Sequence, residues 1–84
     1  MSPIPARLST VVNQDGAAVL DASRNQITTL NSTGGFVWDR LQQGRTVEQV
    51  IDDLAIESNT DPLIVKGDVI AFLEQLKADD LLQG

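Results

Sequence analysis

The sequence predicts an α+β domain built as a three-stranded antiparallel meander followed by three helices. Three observations carry that expectation. Side chains alternate with a period of two over the first thirty residues, tight-turn residues separate those runs, and after residue 31 the apolar spacing becomes helical. The 84 residues suffice for one domain, with residues 1–6 as an extended lead-in that Pro3 and Pro5 keep out of helix.

The first strand is expected over RLSTVVN (7–13), where Leu8, Thr10 and Val12 face one way and Ser9 and Val11 the other. Asp15-Gly16 marks a hairpin turn, because glycine reaches positive φ at little cost. AAVLD (17–21) is the return strand, SRN (23–25) a second turn, and QITTL (26–30) a third strand. Asn31 or Ser32 caps the first helix, whose stripe is Gly34, Val37, Trp38 and Leu41 and whose stop is Gly44. Gly34 in that stripe predicts close approach to another element. Thr46-Val47-Glu48-Gln49 fits a capping box, ahead of a stripe of Val47, Val50, Ile51 and Leu54. Asp61-Pro62 opens the third helix, expected to reach about Asp79 despite Gly67 inside it. Val65, Val69, Phe72 and Leu76 form one stripe of that helix, and Leu63, Lys66, Ile70, Leu73 and Lys77 a second at the same spacing.

Composition removes most chemistry. There is no His and no Cys, so the usual zinc ligands, the usual general base and all disulfides are missing. No Ser stands in a nucleophile elbow and no Lys-Ser/Thr ends a Gly-rich phosphate loop. Asp52-Asp53 and Asp79-Asp80 are neighbours, but adjacent helical residues point about 100° apart and would not converge on a metal. Catalysis, cofactors and metals are therefore not expected. The net charge of −6 is lopsided: four arginines meet three aspartates up to residue 45, and nine acids meet two lysines beyond it. Nucleic-acid binding, which depends on Lys and Arg at phosphates, is not expected either. No apolar run approaches the roughly 20 residues of a membrane span, and the N-terminus has no secretory apolar segment. A cytoplasmic location is expected.

What remains is binding. QITTL carries no Pro, Gly or charge to blunt a sheet edge. The third helix has more apolar surface than one core-facing stripe needs. An open strand edge beside an apolar helix flank is the arrangement used for peptide capture by strand addition. The same pattern also fits Ile70 and Leu73 packed inside a small core, and the residues alone leave both readings open.

From LNSTGGFVWDRLQQGRTVEQVIDDL (30–54), with AAVLD before it and DVIAFLEQLKADDLL (68–82) after it, the chain resembles the PqqD-like family, the peptide-recognition elements of ribosomally made, post-translationally modified peptides. The resemblance spans about residues 7–82 and lies in the order and spacing of the pieces. It implies a winged-helix-like fold in which the leader of a precursor peptide adds to the third strand, in a groove shared with the third helix. By position, the strand side would be Gln26, Ile27, Thr28, Thr29 and Leu30, and the helical wall Leu63, Lys66, Val69, Ile70 and Leu73, with Lys77 able to meet a leader carboxylate. A free-standing domain of this kind resembles the recognition component of lasso-peptide clusters. There a monomer would present the leader to a leader peptidase and a cyclase.

Three alternatives stand beside it. A pyrroloquinoline-quinone-type chaperone would deliver its precursor to a radical-SAM enzyme. A winged-helix DNA-binding regulator would need a basic third helix, but this one holds Asp68, Glu74, Asp79 and Asp80 against two Lys. An acyl carrier would need a Ser at a helix start, where this chain has Thr60-Asp61-Pro62-Leu63.

Overall fold

The computed structural model describes residues 4–82. Strands β1 (Leu8–Asn13), β2 (Gly16–Asp21) and β3 (Gln26–Leu30) form one antiparallel sheet in the order β1-β2-β3. Helices α1 (Ser32–Gln42), α2 (Val47–Ser58) and α3 (Pro62–Ala78) follow. The α+β meander-then-helices architecture is as the sequence implies.

The first turn differs in detail. Its central residues are Gln14 and Asp15, because Asn13 pairs with Gly16 and the Asp15 N–H is held by Asn13 Oδ1 at 2.8 Å. Gly16 instead opens β2 at φ +145°, where any Cβ would overlap the Leu30 carbonyl oxygen. Glycine is required there twice over: by its positive φ beside the turn, as the hairpin signal implies, and by the β3 carbonyl that leaves no room for a Cβ. The second turn is organised by Asp21, whose Oδ1 accepts from the Ser23 hydroxyl (2.6 Å) and the Ser23 and Arg24 N–H groups (3.1 and 3.3 Å). Asn25 closes it in the left-handed region at φ 54°.

Each helix begins on a side-chain cap. Asn31, not Ser32, caps α1: its Oδ1 accepts from Gly34 N–H at 2.7 Å. Thr46 and Gln49 form the reciprocal capping box of α2. Asp61 caps α3 with Pro62 behind it. Each such cap satisfies a donor the first turn cannot. Asp80 at φ 60° ends α3, and Leu81 N–H returns to the Leu76 carbonyl at 2.8 Å, which folds Leu81 and Leu82 into the core.

The core joins Leu8 and Val19 of the sheet, Val37, Trp38 and Leu41 of α1, Val50, Ile51, Leu54 and Ala55 of α2, and Val65, Val69 and Leu76 of α3. Val47, expected in the α2 stripe, is exposed because it stands at the helix's first residue, ahead of the turn that packs. Trp38 is fully buried, and its Nε1–H reaches Thr10 Oγ1 at 2.8 Å, so the one polar atom of the ring is satisfied on β1. From residue 4 onward the lead-in is held to the domain: Ile4 packs on the core, Pro5 is buried, and its carbonyl accepts from Leu8 N–H at 3.1 Å. Residues 1–3 lie outside the described residues.

Candidate functional site: a strand edge and two hollows

The sheet has β1 and β3 as its edges. The Leu30 carbonyl lies against the backbone of Gly16, so Leu30 turns its polar backbone toward β2. Antiparallel ladders alternate. In the register Ala17–Leu30, Val19–Thr28, Asp21–Gln26, residues 28 and 26 therefore also face β2. Ile27 and Thr29 turn their N–H and C=O outward. The free edge of β3 thus offers two residues' worth of backbone donors and acceptors, and neither residue is charged.

One hollow borders this edge and a second lies beyond its end. The first, of about 510 Å³, lies at the start of β3 and is lined by Arg24, Gln26, Ile27 and Thr28 on one side and Ala78, Asp79 and Asp80 on the other. The second, of about 310 Å³, lies beyond the end of β3. Its walls are Val37 of α1, Leu54 of α2, and Val69 and Phe72 of α3, with Asn31, Thr33 and Asp68 at the rim. The strand and α3 therefore run past each other in opposite directions, the start of one beside the end of the other. Gly34 keeps the second hollow open at its floor: a Cβ there would sit 3.1 Å from the Phe72 ring.

This geometry decides which flank of α3 faces the strand. Asp68, Phe72, Gln75 and Asp79 follow the helical repeat along one side. Lys66, Ile70, Leu73 and Lys77 follow it along the other, with the buried Val65, Val69 and Leu76 between the two. Of the helical wall expected from the sequence, Val69 alone lines a hollow beside β3. Leu73 is half-buried against the core, Ile70 is 39% exposed, Leu63 is 79% exposed, and Lys66 and Lys77 are exposed. On the strand side, Gln26, Ile27 and Thr28 line the first hollow. Thr29 and Leu30 are not among the residues lining these two, although Thr29 presents its backbone to the edge. On α3 and its C-cap the lining also includes Phe72, expected in the core stripe, and Asp68, expected only as one of that helix's acids, together with Ala78 and Asp79. The pairing of Gly34 with a bulky α3 residue was the one signal that could have found Phe72.

An ionic cluster fixes the far end of the groove. The Asp21 carboxylate, 3% exposed, pairs with Arg7 Nε (3.3 Å) and Arg24 Nε (3.7 Å). Arg24 also pairs with Asp80, and Arg7 Nη2 donates to the Asp80 carbonyl at 2.9 Å. The β2–β3 turn, the start of β1 and the end of α3 are tied together. The Ser23 hydroxyl bond is the largest influence on Asp21 and holds its carboxyl below the ordinary range; burial opposes it, and the Arg7 and Arg24 contacts reinforce it. Asp80 does the corresponding thing to Arg24, raising it further.

Among the described residues no group of three or more acidic, His or Cys side chains could hold a metal ion, and no helix is long and apolar enough to cross a membrane.

Comparison with known proteins agrees with this architecture. The family model for coenzyme PQQ synthesis protein D (PqqD) matches residues 16–82, from the start of β2 to the last described residue. Curated protein sequences give no match. Among solved structures, TbiB1 in complex with the TbiA(beta) leader peptide is similar at a TM-score of 0.90 and 25% identity, over 100% of this chain and 96% of that one. A lasso peptide synthetase B1 complexed with its leader peptide has the same fold, at a TM-score of 0.79 and 22% identity over 90% and 89% of the two chains. With a family model covering every element but β1, the chain belongs to the PqqD family.

Proposed function

We propose that this protein binds the leader segment of a ribosomally made precursor peptide, as a strand added to the outer edge of β3, and presents it to a leader peptidase and cyclase of the lasso-peptide type. The observation that carries this is the uncharged, unpaired edge at Ile27 and Thr29, flanked by two hollows, in a chain similar over its whole length to a protein solved with a leader peptide. Main-chain bonds at that edge supply affinity without sequence preference, and the hollows read alternate side chains. The protein's part is recognition. The chain has no His or Cys, and nothing in the groove serves as a nucleophile with a base beside it.

A second reading keeps the same groove but changes the recipient. The family model carries the description of a coenzyme PQQ synthesis protein, which favours a chaperone delivering its precursor to a radical-SAM enzyme. Pull-down of the loaded protein against a leader peptidase and against a radical-SAM enzyme separates the two.

The test of the groove is a nuclear magnetic resonance titration with the leader of the precursor gene neighbouring this one. Amide signals of residues 26–30 and 68–79 are expected to move, with those of α2's outer face still. Thr29→Pro removes an outward donor and is expected to weaken binding in a folded protein. Unmoved β3 signals at saturating leader, or full affinity in folded Thr29→Pro, would refute strand addition here.

A further inference from the structure

Helix α3 is electrostatically two-sided in a way the fold does not require. All four arginines of the chain are engaged: Arg7 and Arg24 with Asp21 and Asp80, Arg40 with Asp39 and Asp53, and Arg45 with Asp53. The two lysines stand on the flank away from β3. Lys66 is two residues from Asp68, and Lys77 two residues from Asp79; two residues is about 200° around a helix. The groove flank is thereby left with two carboxylates, Asp68 and Asp79, that no cation pairs with among the described residues; Arg24, which lines the same hollow as Asp79, is held by Asp21 and Asp80. Asp68 makes no ion pair among the described residues. Among the described residues Asp79 accepts only from the neutral Gln75 amide, at 3.2 and 3.3 Å. Asp68 rims an apolar hollow walled by Val69 and Phe72, and Asp79 borders the hollow at the other end of β3.

We propose that this groove selects extended peptides carrying two basic side chains, four or six residues apart, one seated over Phe72 against Asp68 and the other against Asp79. The inference rests on the peptide-binding reading and names the class of peptide it takes. A Lys or Arg suits the Asp68 hollow because its methylene stem lies along apolar walls while the cation reaches the rim, and the Phe72 face adds attraction for that cation. The spacing follows from two repeats. Asp68 and Asp79 are eleven residues apart on a helix rising about 1.5 Å per residue, so about 16 Å apart along its axis. A strand rises about 3.3 Å per residue, so this distance corresponds to about five residues. Side chains on one face of a strand recur at even spacing, which leaves four or six. Reach of a long basic side chain absorbs the remaining difference of about one residue.

The probe is a positional-scanning set of fluorescein-labelled, end-blocked 12-residue peptides in which each position in turn is Lys, Glu or Leu, with polarisation as the readout. The measured quantity is the ratio of affinities for Lys against Leu at each position. Lys should be favoured roughly three- to tenfold at two positions four or six apart, and raising the salt should shrink the preference. Asp68→Asn should erase the ratio at one of the positions and Asp79→Asn at the other. Asp52→Asn, on the outer face of α2, should leave both ratios as they were. Circular dichroism confirms the folding of all three variants. Preference for Glu, indifference to charge, or a Lys preference that survives both groove variants would overturn the proposal. Binding of uncharged peptides with β3 amide shifts but without Lys preference sinks this inference and leaves the peptide-binding reading standing. No binding by any member, with β3 signals unmoved, sinks both.

Discussion

Gly34 and Gly35 are adjacent in α1, and the same substitution should have opposite consequences at the two. Ala in place of Gly favours a helix by up to about 1 kcal/mol at either position. What differs is what the new methyl meets. At Gly34 it would lie 3.1 and 3.2 Å from Phe72 Cε1 and Cζ, ring atoms that border an open hollow and can give by a few tenths of an ångström. Gly34→Ala should therefore keep wild-type stability or gain slightly, while narrowing the hollow and weakening peptide binding. At Gly35 it would lie 2.9 and 3.1 Å from the carbonyl carbon and Cα of Gly16 and 3.2 Å from the Ala17 nitrogen. These are backbone atoms pinned between β1 and β3, and forcing them apart costs about 1–3 kcal/mol. Gly35→Ala should end below wild type by as much as about 2 kcal/mol. For a domain of this size each kcal/mol moves the Tm by about 4–8 °C. Trp38, the single tryptophan, reports the transition by fluorescence in thermal and urea unfolding. If Gly35→Ala melts at or above Gly34→Ala, the close docking of α1 on the start of β2 is wrong.

Two further outcomes follow from the site. Phe72→Ala should weaken peptide binding and cost about 1–2 kcal/mol of stability, less than the 3–5 of a fully buried Phe, whereas Ile70→Asp on the opposite flank should stay folded and bind peptide almost as wild type. Isothermal titration on the pair decides which flank is the wall: stronger loss at Ile70 would return the groove to the Lys66–Lys77 side. Acidification should loosen the ionic cluster at Asp21. Its carboxyl titrates below the ordinary value, so the unfolded chain takes up the proton first as pH falls. The stability Asp21 contributes is thus complete above the ordinary carboxylate range and lost as pH drops through its lowered value. Asp21→Asn should be less stable at neutral pH and show a flatter stability profile across that acid window. An unchanged slope in urea unfolding would remove Asp21 as a contributor.

Much of this was legible along the chain. Alternation placed all three strands within a residue, and the caps at Thr46 and Asp61 were readable because each bonds a backbone N–H only two or three residues on. Asn31 and Ser32 could not be separated by type, since both are good caps; only the 2.7 Å contact to Gly34 N–H chooses Asn31. The first turn slipped by one residue because Gly16 was explained by the hairpin. Its positive φ is a hairpin feature, but the second constraint on it, the Leu30 carbonyl fourteen residues away, could not be read locally. Asp21 gave no sign of Arg7, nor Arg24 of Asp80, because these partners lie far apart along the chain.

The sequence alone determined the element order, the uncharged β3 edge and the scarcity of reactive groups, since these depend on near neighbours and on composition. The tertiary structure decided the roll of α3. Both of its flanks carry apolar residues at helical spacing, so periodicity could not say which one meets the strand. The choice is made by packing: Phe72 fits over Gly34, where α1 has no side chain, and that contact turns Asp68 and Asp79 toward β3 and Lys66 and Lys77 away from it.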